Sequence, residues 1–108
     1  MQKVTIIGLG LIGSSIGLGL RRWATKDGNR SAVLEVTGFD LDLEHQNYSK
    51  KLKAVDGTEW DLSRAVRDAD LVVLAVPPLA VREVLESIAG QLKDGAVVTD
   101  TTSTKAEV

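Results

Sequence analysis

The 108-residue chain contains no cysteine, two prolines and a single histidine. Without cysteine it forms no disulfide framework, builds no thiolate metal site and offers no cysteine nucleophile, which fits the reducing cytoplasm. An excess of positive charge is also missing, because 13 basic side chains face 15 acidic ones. Such a chain lacks the clustered lysine and arginine that bind a phosphate backbone, so no nucleic-acid partner is expected.

Long hydrophobic runs are scarce as well. Residues 4–20 carry no charge, but this run of 17 residues is just short of a membrane-spanning helix. Lys3 precedes it as in a signal peptide, which leaves a signal or anchor segment as one alternative. Five glycines interrupt the run. The glycine spacing therefore favours a folded domain, and no membrane partner is expected.

The remaining composition is that of an ordinary globular domain, with 44% hydrophobic and 26% charged residues. Residues 1–108 are expected to form one domain. Strands are predicted at 3–7, 33–39, 71–76 and 96–99, with a short edge strand within 54–60. Helices are predicted at 11–26, 43–53, 62–68 and 79–93, the last one closed by Gly95. Because the strong strands are continuous apolar runs separated by helices, we expect a doubly wound, mostly parallel α/β sheet with helices on both faces.

Apolar residues at helical spacing indicate which helix faces are buried. The first helix places Ile12, Ile16, Leu20 and Trp23 on one stripe, and the second is expected to point Tyr48 and Leu52 inward. Trp60 is expected in the core or in an interface.

A glycine-rich turn joins the first strand to the first helix. Gly8, Gly10 and Gly13 form a G-x-G-x-x-G pattern in the strand–turn–helix context that dinucleotide binding requires. The first glycine makes the tight turn, the second lets a pyrophosphate approach the backbone, and the third allows close packing of helix on strand. The turn also includes Leu9, Leu11 and Ile12. The alternative is a helix-packing motif without a ligand.

Asp40 follows the second predicted strand, 27 residues after Gly13. A carboxylate at this position accepts hydrogen bonds from the adenosine ribose hydroxyls and repels a 2′-phosphate. Asp42 adds a second negative charge, so NAD is predicted in preference to NADP. The alternative is an ordinary exposed aspartate in a turn.

Val76, Pro77 and Pro78 end the 71–76 strand. If this strand neighbours the first one, the sheet order reverses between them, and these residues line the bridge of a dinucleotide. Pro78 is equally explained by a simple strand-ending turn. Asp68 and Asp70 lack a third ligand, so no metal site is proposed.

Four segments taken in order resemble the dinucleotide-binding domain of prephenate and arogenate dehydrogenases. They are Gly8–Ser15, Gly38–Asp40, Val72–Pro78 and Asp100–Lys105. The resemblance implies a Rossmann-like fold, NAD as cofactor, and oxidative decarboxylation of a cyclohexadienyl acid in tyrosine biosynthesis. It also implies a cytoplasmic, homodimeric full-length enzyme.

The last segment is the most specific of the four. The family pattern is D-x-G-S-x-K, and Thr102 stands here where the family has glycine. The resemblance places Ser103 beside the nicotinamide and the reacting hydroxyl, and the family lysine falls on Lys105. The residues alone also fit a capping box over 104–107, in which Ser103 only starts the next helix.

A catalytic base is not found in the sequence. His45 lies five residues after Asp40, on the adenosine side, and is expected to be a solvated helix residue. The chain is therefore interpreted as the cofactor domain of a longer two-domain enzyme, without turnover of its own. Two alternatives stay open: another dehydrogenase of the β-hydroxyacid or 6-phosphogluconate type, and a non-catalytic dinucleotide sensor.

Overall fold

The computed structural model of the chain describes residues 2–25 and 34–101. Strands and helices alternate along these residues. The strands are β1 (Gln2–Ile7), β2 (Leu34–Phe39), β3 (Gly57–Glu59), β4 (Leu71–Leu74) and β5 (Val97–Asp100). The helices are α1 (Leu11–Thr25), α2 (Leu43–Lys51), α3 (Leu62–Val66) and α4 (Pro78–Ile88). The predicted order of elements is confirmed, including the short strand β3 at one edge of the sheet.

The strands form one parallel sheet in the order β3-β2-β1-β4-β5. The chain builds outward from β1 to β3, then crosses back to place β4 on the other side of β1. Ile7 at the end of β1 pairs with Phe39 on one side and with Leu74 on the other. The order therefore reverses at the carboxyl end of β1, where open parallel sheets bind their ligands. The predicted doubly wound sheet is confirmed.

The core consists of two layers, one on each face of the sheet. Successive side chains of a strand point to opposite faces, so Ile6 and Ile7 belong to different layers. The layer beneath α3 and α4 contains Ile7, Phe39, Ala65, Val66, Ala69, Val72, Leu74 and Ile88. The layer beneath α1 contains Val4, Ile6, Leu9, Val36, Val55 and Val73. Burial on both faces explains why the strands are continuously apolar.

Helix α1 packs closely through two glycines. A Cβ on Gly13 would lie 1.7 Å from the carbonyl oxygen of Gly8, and one on Gly17 would lie 2.3 Å from that of Ala54. Neither distance is compatible with a side chain, so the helix approaches the end of β1 and the segment before β3 backbone to backbone. The neighbour of Gly17 is the segment before β3, not β1.

The predicted inner face of α2 is wrong. Tyr48 and Leu52 are 43% and 38% exposed, whereas Gln46 and Ser49 are buried. The Ser49 hydroxyl forms a hydrogen bond of 2.8 Å with the hydroxyl of Ser14 on α1. Helix α2 is therefore fixed by buried polar contacts, which apolar periodicity does not detect.

Part of the predicted apolar stripe of α1 is also wrong. Ile16 and Leu20 pack on the core, but Ile12 and Trp23 are 59% and 53% exposed. Trp60 is 59% exposed and is not a core residue.

Helix α4 is shorter than predicted. It ends at Ile88, and the N–H of Ala89 makes its last helical hydrogen bond. Gly90 follows directly and disfavours continuation of the helix. Leu92 still packs against the core from the connecting turn, which explains why the apolar pattern ran on to this point. Gly95 has φ +86 and shapes the turn before β5, not the helix end.

The uncharged run 4–20 is divided between β1, the glycine turn and α1. Within residues 2–25 and 34–101, no helix is both long and apolar enough to cross a membrane.

Candidate functional site

The turn after β1 lies tightly against the end of β4. Gly8 has φ +102, a conformation that side chains disfavour. A Cβ at this position would also lie 2.4 Å from the carbonyl oxygen of Ala75. The Gly8 N–H donates to the carbonyl of Phe39 (2.8 Å), so the turn is held between both strands that neighbour β1.

The amino terminus of α1 opens directly from this turn. The carbonyl of Gly10 accepts the first hydrogen bond of the helix (3.0 Å). The N–H groups of Leu11, Ile12 and Gly13 therefore have no acceptor within the helix and lie at its positive end. A Cβ on Gly10 would meet only one atom within 4 Å, the Cε1 of His45 at 3.9 Å. The protein leaves the space above Gly10 open, as the approach of a phosphate requires.

Asp40 stands directly after β2, beside the glycine turn. Its Oδ2 accepts the N–H of Leu9 at 2.7 Å, and its Oδ1 accepts the N–H of Asp42 at 2.8 Å. The buried side chain of Gln46 donates from Nε2 to the Asp40 carbonyl. The carboxylate is thus held in a fixed orientation at the carboxyl end of β2.

His45, on the first turns of α2, contacts Asp40. Its Nδ1 lies 3.0 Å from Asp40 Oδ2, and its Nε2 lies 3.7 Å from Asp42 Oδ2. Because an ionised carboxylate only accepts, Nδ1 carries the proton. The hydrogen bond with Asp40 raises the pKa of His45 above its usual 6.5, and the charges of Asp40, Asp42 and Glu44 add to the effect.

Two adjoining clefts run along the carboxyl edge of the sheet, with volumes of about 420 and 500 Å³. Both include the same central residues, Gly10, Ala75, Val76 and Pro77. The first extends towards β2 and is also lined by Ile7, Gly8, Phe39, Asp40, Leu41, His45 and Val84. The second extends towards β5 and is also lined by Leu11, Ile12, Pro78 and Thr101. Together they form a trough with Asp40 at one end and Thr101 at the other.

Most residues singled out in the sequence line this trough. Gly8, Gly10, Asp40, Val76 and Pro77 line the first cleft, and Leu11, Ile12 and Pro78 the second. Leu9 and Gly13 are placed differently. The Leu9 side chain is in the core, and the buried Gly13 packs against Gly8. Thr102, Ser103 and Lys105 lie outside the described residues.

Sequence reasoning did not single out seven residues that line the trough: Ile7, Phe39, Leu41, His45, Ala75, Val84 and Thr101. Leu41 and His45 come from the segment after Asp40, where no pattern distinguishes a lining residue from a solvated one. Thr101 lies in the tail motif, two positions before Ser103, the residue to which the family resemblance assigns the site role. Among the described residues, no group of three or more histidines and acids is placed to hold a metal ion.

The relatives found by comparison with known proteins agree with one another. A family model, "Prephenate dehydrogenase, nucleotide-binding domain", matches residues 18–108. A prephenate dehydrogenase of Lactococcus lactis is 39% identical over 109 residues, covering 100% of this chain and 28% of that protein. A cyclohexadienyl dehydrogenase of Zymomonas mobilis is 33% identical over 107 residues, covering 99% and 34%.

A solved structure is similar over nearly the whole of this chain. It is prephenate dehydrogenase from A. aeolicus in complex with hydroxyphenyl propionate and NAD+, with a TM-score of 0.77 and 27% identity. The match covers 93% of this chain and 33% of that one. The chain thus spans about a third of the length of the relatives it matches.

The strand order, the glycine turn and the trough at the switch point define a nucleotide-binding domain of the Rossmann class. Within that class, the chain belongs to the family of prephenate dehydrogenase nucleotide-binding domains. The resemblance noted in the sequence is confirmed.

Proposed function

We propose that this chain binds NAD along the trough and orients its nicotinamide for hydride transfer from a prephenate- or arogenate-type cyclohexadienyl acid. The observation that carries the proposal is the continuous trough across Gly10, with a carboxylate at one end and the free start of a helix at its centre. The A. aeolicus relative, solved with NAD+ and hydroxyphenyl propionate, supports this choice of ligands.

The residues of the trough suit three parts of a dinucleotide. Asp40 would accept hydrogen bonds from the adenosine ribose hydroxyls. The N–H groups of Leu11 and Ile12 would donate to the pyrophosphate above Gly10. Pro78 and Thr101 would then flank the nicotinamide half. The proposal therefore assigns the adenosine to the β2 side and the reactive ring to the β5 side.

NAD, when bound, supplies the ring that accepts hydride, and the chain supplies binding and orientation. Removal of the substrate's hydroxyl proton needs a base near that ring. His45 is the sole histidine of the sequence, and it lies at the ribose end of the trough. The base is therefore proposed to come from outside these 108 residues, and this chain alone is expected to show no turnover.

Three further parts of the proposal rest on the family. Ser103 is proposed to lie beside the nicotinamide and the substrate hydroxyl. The full-length enzyme is proposed to be a cytoplasmic homodimer active in tyrosine biosynthesis. Light scattering on the complete gene product tests the dimer, and its activity with prephenate against arogenate tests the substrate.

Titration calorimetry with NAD tests the binding step, using Gly10→Ala and Gly19→Ala as a matched pair. A Cβ meets no close protein atom at either position, so both variants are expected to fold. Only Gly10 faces the trough, and its new methyl group would obstruct the pyrophosphate. We expect Gly10→Ala to weaken NAD binding by on the order of tenfold, equivalent to about 1.4 kcal/mol, and Gly19→Ala to leave it unchanged. Equal affinities for both variants and the parent chain would contradict the proposal.

A further inference from the structure

The carboxylate of Asp40 already has most of its acceptor sites occupied. Oδ2 accepts from Leu9 N–H at 2.7 Å and from His45 Nδ1 at 3.0 Å, and Oδ1 accepts from Asp42 N–H at 2.8 Å. A carboxylate offers about four such sites. Two ribose hydroxyls therefore do not fit beside all three present donors. Of these donors, two are backbone groups fixed by the fold, and only the His45 ring is on a side chain that rotates.

His45 also lies where a group attached to the adenosine ribose would be. The ring lines the first cleft together with Asp40 and Leu41, and its Cε1 faces the open space above Gly10. About half of its side chain is exposed, so it has room to turn away from Asp40. The same ring is thus both a competitor for Asp40 and a neighbour of the ribose.

The charges that face His45 are all negative. Asp40 and Asp42 come from the loop after β2, and Glu44 precedes His45 on α2. The glycine turn contributes no charged side chain, and the opposite wall of the first cleft is formed by the apolar Val76 and Pro77. No other basic side chain lines this cleft among the described residues. Among the described residues that line the first cleft, protonated His45 is then the single cation able to pair with a 2′-phosphate.

We propose that His45 couples the protonation state of the cleft to the choice between NAD and NADP. Unprotonated, the ring leaves Asp40 readily, and the ribose diol of NAD takes its place. Protonated, the ring pairs with Asp40, opposes the diol, and offers its charge to the 2′-phosphate of NADP. This inference rests on the proposed binding of a dinucleotide with its adenosine half at Asp40.

Because the coupling between proton binding and dinucleotide binding is reciprocal, the inference can be tested by measuring the pKa of His45. If NAD displaces the ring from Asp40, NAD binding must lower the pKa of His45, and if NADP pairs with the imidazolium, NADP binding must raise it. Because His45 is the sole histidine in the sequence, its imidazole signals in an NMR titration need no assignment. The free chain is expected to show a pKa above 6.5.

The experiment is an NMR pH titration of the chain alone, with saturating NAD, and with saturating NADP. Calorimetry then compares the parent chain with His45→Gln, which keeps a hydrogen-bond donor but does not titrate. Between about pH 8 and pH 5.5, the NADP dissociation constant divided by the NAD dissociation constant is expected to fall in both proteins. The factor by which it falls is expected to be about five times larger in the parent chain than in the variant. The 2′-phosphate of NADP also changes its protonation in this pH range. Its effect on the ratio is common to both proteins, so comparison with the variant removes it.

The outcomes separate this inference from the proposed function. Opposite displacements of the His45 pKa by NAD and NADP support the inference. Displacements of one sign, or none, overturn it while the proposed dinucleotide binding stands. If neither dinucleotide binds at any pH, both fall. Should His45→Gln fail to fold, the NMR titration of the parent chain decides alone.

Discussion

Asp40 combines a structural role with the recognition role proposed for it. Its carboxylate accepts the N–H of Leu9, which orients the glycine turn, and the N–H of Asp42, which fixes the residue before α2. Both contacts require only acceptor oxygens, whereas discrimination against a 2′-phosphate requires the negative charge. Asparagine has one acceptor oxygen in place of two, so it loses one of these backbone contacts together with the charge. The lost backbone contact affects NAD and NADP alike, and a difference between the two dinucleotides therefore reports the charge.

Asp40→Asn removes the charge and keeps one acceptor oxygen. We expect it to weaken NAD binding by about tenfold and NADP binding by much less, because the lost repulsion compensates for NADP. Asp42→Asn is the control, since it removes a nearby charge while asparagine still serves as the α2 N-cap. Calorimetry with both dinucleotides measures the effect. Equal losses for NAD and NADP in Asp40→Asn would show that this carboxylate does not read the ribose.

Asp70 connects the amino ends of three strands. Its carboxylate accepts from Lys3 N–H at 2.8 Å and lies 2.6 Å from Lys93 Nζ, while its carbonyl accepts from Val97 N–H. The two carboxylate contacts, the Lys93 hydrogen bond foremost and then the Lys3 N–H, hold the pKa of Asp70 below its usual 3.8.

A lowered pKa in the folded state predicts an acid dependence of stability. The contribution of Asp70 is present above pH 3.8 and is lost as the pH falls through the folded value. Asp70→Asn should therefore lower the urea midpoint near neutral pH and lose less than the parent chain as the pH falls to about pH 3. Urea titrations of both proteins at several pH values measure this. Midpoints that stay the same distance apart at every pH would contradict the assignment.

The glycines of α1 show how an element's packing depends on single positions. Gly17 faces the Ala54 carbonyl without space for a Cβ, whereas Gly19, half a turn away, has no atom within 4 Å of that position. In the sequence, Gly17 lies four residues after Gly13, which places both on one face of the helix, whereas no pattern accounts for Gly19.

Alanine at each of the two positions should have opposite effects. Gly17→Ala is expected to destabilise the fold by about 1–3 kcal/mol through overpacking. Gly19→Ala is expected to stabilise it by about 0.5–1 kcal/mol through helix propensity. Urea denaturation of both variants gives the comparison. A stabilising Gly17→Ala would mean that α1 lies further from the 54–56 segment than the structure places it.

The elements differ in how far the sequence determined them. Strands β1 and β4 were predicted closely because burial on both faces leaves an unbroken apolar run. The inner face of α2 was not, because Gln46 and Ser49 are buried through hydrogen bonds that no hydrophobic period marks. Helix α4 was extended too far because Leu92 reaches the core from a turn.

The same contrast holds for the trough. The glycine turn and Asp40 follow from motif spacing, because a tight turn, a close approach and a ribose contact each demand a residue type. The place of His45 in the trough does not follow from the sequence, because His45 reaches the trough only when α2 folds back over the glycine turn. Its position beside both Asp40 and Gly10 is a tertiary property.

At the scale of the whole molecule, the strand order places the proposed binding residues that the structure describes on one edge of the sheet. The reversal between β1 and β4 aligns the turn after β1, the loop after β2 and the prolines after β4 along a single trough. The chain covers about a third of the length of the relatives it matches, and its described residues carry the nucleotide-binding trough.

The central claim is that one dinucleotide spans both clefts across Gly10. A crystal structure of the chain grown with NAD tests it most directly. The account predicts the pyrophosphate above Gly10 and the amino end of α1, the adenosine ribose on Asp40, and the nicotinamide towards Thr101. NAD bound elsewhere, or with its two ends exchanged, would contradict it.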